Sequence, residues 1–283
     1  MAPSCSKAVV GDTVIDVAPL EVISLQRLLE NDENERGRLE HAATSLGFFY
    51  VDLRGSQQYL NDVGQLYTTT ERYFTQPHEY LTRDFHENDE FRGYKGGKNW
   101  GSLEIPRDDI FDQNKPLPPA FQLDSATVKR FIGSSHEMAH TILGQLSKSL
   151  WPGSEAWLEE KHRIGEKSKS SLKVYRGPAL ARRVDVGDNT HTDGGSLTLL
   201  YTNKWGTQVE LPWNKEWAWI EAKPEHAIVN VGDTLQALSG GKLYSCRHRV
   251  SQPVDGFEER WAVTYFFRPE DGTQLAPLRI VSH

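Results

Sequence analysis

The hydrophobic period of this chain changes near residue 171, and that change constrains its fold more than any other feature. Up to about residue 150, apolar residues recur mainly at helical spacing. From 171 onward the period shortens towards two. Candidate strands follow one another as SLKVYR, SLTLLYT, TQVEL, WAWIEA, AIVNV, LYSCRHRV and RWAVTYFFR, with turn signals between them. Many short strands in such a series predict a sandwich or barrel.

The first half reads mainly as helix. Ser24 is placed to cap LQRLLE. ENERGRLEHAATSLG carries Leu39, Ala42, Ala43 and Leu46 at helical spacing, with Gly47 as its stop. FFYVDL (48–53) reads as a short strand, and 57–75 as an amphipathic helix ended by Pro77. Residues 84–120 are polar, aromatic and rich in Gly and Pro, the composition of a long functional loop. A helix is predicted over about 125–150, stopped by WPG.

Composition narrows the function. The net charge of −7 argues against nucleic acid and anionic membrane as partners, since both need a basic face. Cys5 and Cys246 are too few and too far apart for a disulfide framework, which fits a reducing compartment. No run has the length of a signal peptide or a membrane span. A cytoplasmic protein acting on a small molecule is expected, as a monomer or weak homo-oligomer.

Two stretches compete for a metal. HEMAH (136–140) has the spacing of a zinc-peptidase helix, two His four apart with a Glu between them. On a helical wheel, however, Val128, Phe131, Ile132, Met138, Ala139, Ile142, Leu143, Leu146 and Leu150 form the apolar stripe. His136 and His140 fall on its flank, about 80° and 120° from the centre, and Glu137 falls opposite. The extended pattern HExxHxxGxxH meets Leu at both 143 and 146. A solvated helix flank is the favoured reading of HEMAH. The second stretch is HTDGGSLTLL (191–200). In a strand, His191 and Asp193 would share one face. LYSCRHRV would bring Tyr244, Cys246, His248 and Val250 to the barrel interior. Two His and one carboxylate leave three adjacent coordination positions open, a set suited to non-haem Fe(II). Twelve residues on, Arg260 begins an apolar strand and needs an anionic partner if it faces inward.

Together, RLEHAATSLGFFYVDLRG, YFTQPHEY, HTDGGSLTLLYTN, WAWIEAKPEHAIVNVGDTLQALSGGKLYSCRHRV and RWAVTYFF resemble the Fe(II)/2-oxoglutarate-dependent oxygenases of the isopenicillin N synthase-like branch, over most of the chain. The resemblance implies a mixed α and β fold, a double-stranded β-helix (jelly roll) core with N-terminal and supporting helices. Residues 1–125 would form the N-terminal helical and mixed region, and 126–283 the catalytic jelly-roll region, in one continuous unit. It implies His191, Asp193 and His248 as iron ligands, and Arg260, Tyr175 and Lys173 as residues for 2-oxoglutarate. With O2 as the other cosubstrate, oxidative decarboxylation to succinate and CO2 would drive oxidation of a substrate C–H bond. Hydroxylation is the default outcome; ring expansion, desaturation and cyclisation are diversions known in the family. The branch favours natural-product metabolism.

Two departures stand out. The family's Arg-x-Ser is Arg260-Trp261-Ala262 here. Its Asn-x-Tyr-Pro puts Tyr175 at the Asn position and Gly177 at the Tyr position. Candidates to meet substrate are Arg92, Tyr94, Lys95, Asn99, Trp100, Arg182 and Arg183, a basic and aromatic mix suited to an oxygenated or acidic metabolite. The alternatives are an iron oxidase of the same fold that uses no 2-oxoglutarate, a zinc peptidase working through HEMAH, and a catalytically silent binding module.

Overall fold

A computed structural model of the chain describes residues 3–87, 89–97, 100–154, 156–177 and 179–277. Gly11, at φ 57°, turns the chain between β1 (Ser6–Val10) and β2 (Thr13–Val17), an antiparallel hairpin. β3 (Val22–Ser24) runs into α1 (Leu25–Leu29), where the Ser24 hydroxyl accepts from the Arg27 N–H at 3.3 Å. α2 (Glu33–Ser45) is capped by Asp32 and ends at Gly47, whose φ is 72°. A Cβ on Gly47 would lie 1.9 Å from the Tyr244 carbonyl oxygen, so glycine is required twice over.

Next come β4 (Phe48–Asp52), α3 (Gln57–Phe74) and α4 (His78–Leu81). β5 (Gly93–Gly97) and β6 (Trp100–Pro106) precede α5 (Arg107–Phe111), α6 (Pro119–Gln122) and α7 (Ser125–Leu150). The second half contributes β7 (Ser171–Gly177), β8 (Leu197–Thr202), β9 (Thr207–Glu210), β10 (Trp217–Ile220) and β11 (His226–Val231). α8 (Asp233–Leu238), β12 (His248–Val250) and β13 (Arg260–Phe267) complete the described elements.

The strands form two sheets, a main one in the order β3-β4-β11-β8-β13-β7-β6-β5 and a smaller one, β1-β2-β10-β9-β12. This is the expected jelly roll. Alternation divides each strand between two cores. Val263, Tyr265 and Phe267 of β13 and Leu197, Leu199 and Tyr201 of β8 pack with the helices. Phe48, Tyr50 and Ile228 of the main sheet pack with Val209, Ala218 and Ile220 of the smaller one. α7 buries the stripe read from its sequence, including Val128, Phe131, Met138, Ala139, Ile142 and Leu146.

The first half is mainly helical as read, with β1 to β6 interleaved among its helices. Three local readings are corrected. Residues 84–120 are not one long loop, because β5 and β6 extend the main sheet from β7 in register Glu104↔Lys173 and Ser102↔Tyr175. Their glycines hide the period, and pairing to a pre-formed neighbour supplies the order. In LYSCRHRV only His248–Val250 is strand. Gly240 and Gly241, at φ 64° and 81°, turn the chain before it. The Tyr244 and Ser245 N–H groups then donate to the Ala43 carbonyl and to Gln236 Oε1 rather than to a ladder. HTD is not strand either: His191 makes an isolated bridge, and β8 starts only at Leu197.

Candidate active site

His191 and His248 are locked to each other through the backbone. Each N–H donates to the other's carbonyl, at 3.0 and 2.9 Å, and the rings stand 4.3 Å apart between centroids. Asp193 reaches them from a turn rather than a strand. Its carbonyl accepts from the Asp233 N–H at 2.7 Å, and the Gly195 carbonyl accepts from the Thr234 N–H at 3.1 Å. The turn fits because Gly232 has no side chain: a Cβ there would sit 2.2 Å from the Gly195 oxygen and 2.8 Å from the Asp193 oxygen. The three potential ligand atoms lie within 4.8 Å of one another, the only such group of three among the described residues.

The surroundings fix the chemistry of each donor. His191 Nδ1 donates to the Asn189 carbonyl at 2.7 Å, and His248 Nδ1 to the Cys246 carbonyl at 3.1 Å. That tautomer leaves both Nε2 lone pairs free, 3.7 and 3.8 Å from the Asp193 carboxylate oxygens. Asp193 Oδ2 accepts from Thr198 Oγ1 at 2.7 Å and Asn230 Nδ2 at 2.9 Å. Burial alone would raise the Asp193 pKa, but His248 and these two donors outweigh it and hold the pKa below the usual range. Burial likewise keeps His248 neutral. Two neutral imidazoles and an ionised carboxylate fit a divalent cation with open positions.

A cavity of about 340 Å³ joins this group to Arg260. Arg260 is buried and pairs with no carboxylate among the described residues. Its guanidinium lies 5.1 Å from the centre of the Tyr175 ring. A Cβ on Gly206 would fall 1.7 Å from Arg260 Nη1, and one on Gly177 would fall 3.0 Å from Nε. The absence of side chains at both positions makes room for the guanidinium. Trp100, Trp205, Phe257, Leu180, Val186 and Val250 give the cavity its apolar walls.

The profile of the 2OG-Fe(II) oxygenase superfamily matches residues 170–269. A 2-oxoglutarate-dependent dioxygenase of Gibberella zeae is 34% identical over 92% of this chain and 82% of its own length. The 2-oxoglutarate-dependent dioxygenase frbH of Dothideomycetidae sp. is also 34% identical, over 92% of this chain and 85% of its own. The chain belongs to the 2OG-Fe(II) oxygenase superfamily. It is a 2-oxoglutarate-dependent dioxygenase whose cofactor is Fe(II) and whose cosubstrates are 2-oxoglutarate and O2. In fold it is similar to the dioxygenase for auxin oxidation 1 from Arabidopsis thaliana solved with 2-oxoglutarate. That comparison has a TM-score of 0.75 and 19% identity, and covers 91% of this chain and 96% of the other.

Within this oxygenase the residues singled out from sequence separate into groups. His191, Asp193 and His248 come together, and Arg260, Tyr175 and Trp100 line the cavity that His191 also lines. Lys173 does not line it; its ammonium lies 3.4 Å from Glu104. Arg92 pairs with Asp89 and Asp109, and Tyr94 is buried beside Phe74 and His78. Lys95 donates to the Glu90 carbonyl. Arg182 is exposed and paired with Asp185, and the Arg183 N–H donates to Asp255. Asn99 lies outside the described residues. Trp205, Phe257 and Gln252 escaped notice because they come from short loops with no motif.

HEMAH holds no metal group among the described residues. His136 is nonetheless not a solvated flank, as its sequence position suggested. It is buried, with Nε2 donating to the His162 carbonyl at 3.0 Å and Nδ1 accepting from the Tyr265 hydroxyl at 3.2 Å. The chain after α7 folds back over the helix flank and covers it.

Proposed function

We propose that His191, Asp193 and His248 hold the Fe(II), and that Arg260, with Tyr175 stacked beside it, grips the far carboxylate of 2-oxoglutarate. The observation that carries this reading is a buried guanidinium with no protein carboxylate, in the same cavity as His191. An uncompensated buried charge costs several kcal/mol, and a ligand carboxylate offsets that cost. The iron and cosubstrate supply the oxidising chemistry once bound. The protein's part is to present neutral Nε2 atoms and an ionised Asp193, to fix the cosubstrate's orientation through Arg260, and to hold a substrate C–H at the cavity mouth behind Trp100, Trp205 and Phe257.

The substrate would be a small organic metabolite of natural-product type, oxidised by hydroxylation or by a diverted outcome such as ring expansion, desaturation or cyclisation. The relatives from Gibberella zeae and Dothideomycetidae sp. support an oxidation that depends on 2-oxoglutarate. The two regions, 1–125 and 126–283, act as one unit in this reading, supported by the share of the main sheet that each supplies. A cytoplasmic enzyme, monomeric or weakly self-associating, fits the two free cysteines and the lack of any membrane-length apolar helix among the described residues.

Anaerobic addition of Fe(II) and 2-oxoglutarate tests the site. The visible charge-transfer band of the chelate should form in the native protein, fail in His248→Ala, and need at least about tenfold more 2-oxoglutarate in Arg260→Ala. A native-like midpoint in Arg260→Ala would overturn the assigned clamp. Succinate formed per O2 consumed separates this reading from an oxidase that uses no 2-oxoglutarate.

A further inference from the structure

A second charged group lies on the inner face of the main sheet, outside the cavity that joins His191 to Arg260. At its centre is Glu104 of β6, a buried carboxylate that accepts from Ser171 Oγ at 2.6 Å. Lys173 Nζ stands 3.4 Å from it and Arg268 Nη2 3.7 Å from it. Two cations thus flank one carboxylate, and Arg268 also feels the charges of Asp193 and Glu90. Neither contact is a hydrogen bond. Arg268 Nη1 donates to the Lys169 carbonyl and Ser171 Oγ, while the Lys173 ammonium has no hydrogen-bond acceptor among the described residues. The lysine side chain is one-third exposed.

The group adjoins the metal turn. Lys173 Nζ and Arg268 Cζ bracket the Phe266 ring, 5.8 and 5.0 Å from its centre. Phe266 pairs across the ladder with Thr198, the residue that donates to Asp193. Arg268 also packs on that turn: a Cβ on Gly195 would lie 3.3 Å from Arg268 Cγ. Phe266 faces Thr198 on one side and Ser171 on the other, so Lys173 lies two strand spacings across and two residues along from Thr198, about 12 Å.

We propose that Lys173 and Arg268 bind a carboxylate of the molecule being oxidised, with its hydrocarbon body against Phe266. An ammonium beside a guanidinium suits a carboxylate; a phosphate dianion would bring more negative charge beside Glu104 and Asp193. The spacing sets the oxidised carbon several bonds from the acid group. Lys173 then serves the substrate rather than the cosubstrate, and the inference rests on the iron site proposed above.

The test uses 3-phenylpropanoate and its uncharged amide as probes of the Fe(II)- and 2-oxoglutarate-loaded protein without O2, read by calorimetry and by the shift of the charge-transfer band. The acid should bind at least about tenfold tighter than the amide. Lys173→Met should abolish that preference while moving the 2-oxoglutarate midpoint less than about twofold. Glu104→Gln, which removes the competing carboxylate, should tighten the acid and leave the amide unchanged. Equal binding of the two probes, no binding of either, or a Lys173→Met variant that loses 2-oxoglutarate as strongly as the acid would each overturn the proposal. Failure of the band in the native protein would count instead against the iron-site reading. Calorimetry on the metal-free chain would then decide the acid preference alone.

Discussion

Gly206 decides where the Arg260 guanidinium can sit. Its φ is not in the left-handed region, so conformation does not demand glycine there; space does, because a Cβ would fall 1.7 Å from Arg260 Nη1 and 2.7 Å from Cζ. Gly206→Ala should therefore push the guanidinium out of line. The 2-oxoglutarate midpoint, read from the charge-transfer band, is expected to rise about tenfold, with the Fe(II) affinity measured in the absence of 2-oxoglutarate unchanged. Tyr175 stacks on the same group. The departures from Arg-x-Ser and Asn-x-Tyr-Pro are thus matched by a different surround, a ring on one side and an empty glycine position on the other. The letters marked the departures, but they carried no information on what fills the space.

The long helix α7 and the turn after it support the metal turn from behind. His162 Nδ1 donates to the Leu158 carbonyl at 2.7 Å, so its Nε2 accepts from Ser196 Oγ, also at 2.7 Å. His136 is tied to the same segment through the His162 carbonyl. Ser196 follows Gly195 in the turn that carries Asp193. Burial pulls both imidazoles down to about 4. Both native pKa values lie below the unfolded reference of about 6.5. Between those limits the unfolded chain binds protons that the folded chain refuses. Stability is therefore fully present above about pH 6.5 and falls as pH drops towards 4, by about 3 kcal/mol for each imidazole. Urea denaturation across that range should show the slope, and His162→Gln should remove roughly half of it. HEMAH was legible as a helix with a core stripe. Its His136 was misread because a helical wheel ranks positions on one element and cannot see a later segment folding over the flank.

Across the whole molecule, the two sheets and the helical layer are held by separate cores, and the metal turn lies where β8, β12 and α8 meet. Ligands that bind only this assembled site stabilise the fold by mass action. Fe(II) with 2-oxoglutarate at about a hundred times its dissociation constant should add about 2.7 kcal/mol and raise Tm by roughly 5 °C. Chelation should reverse the rise, and His248→Ala should not show it; differential scanning fluorimetry under anaerobic conditions reads all three. A native protein whose Tm ignores both ligands would contradict the assigned site.

The chain's letters determined the class of fold and picked out a candidate donor set. A period near two over many short segments leaves few ways to bury apolar faces, and His191, Asp193, His248 and Arg260 are chemically distinct groups in a recognisable order. Tertiary structure alone decided which backbone brings them together. The proposed ligands converge through one bridge and a turn rather than through the two strands expected, because side-chain alternation assigns a face but not a partner or a register. It likewise placed Lys173 and Arg268 beside Glu104, from segments distant in sequence, and left Arg92 and Arg182 paired with acidic side chains. Charge is a local property of a sequence, whereas the company a charge keeps depends on which strands come to lie side by side.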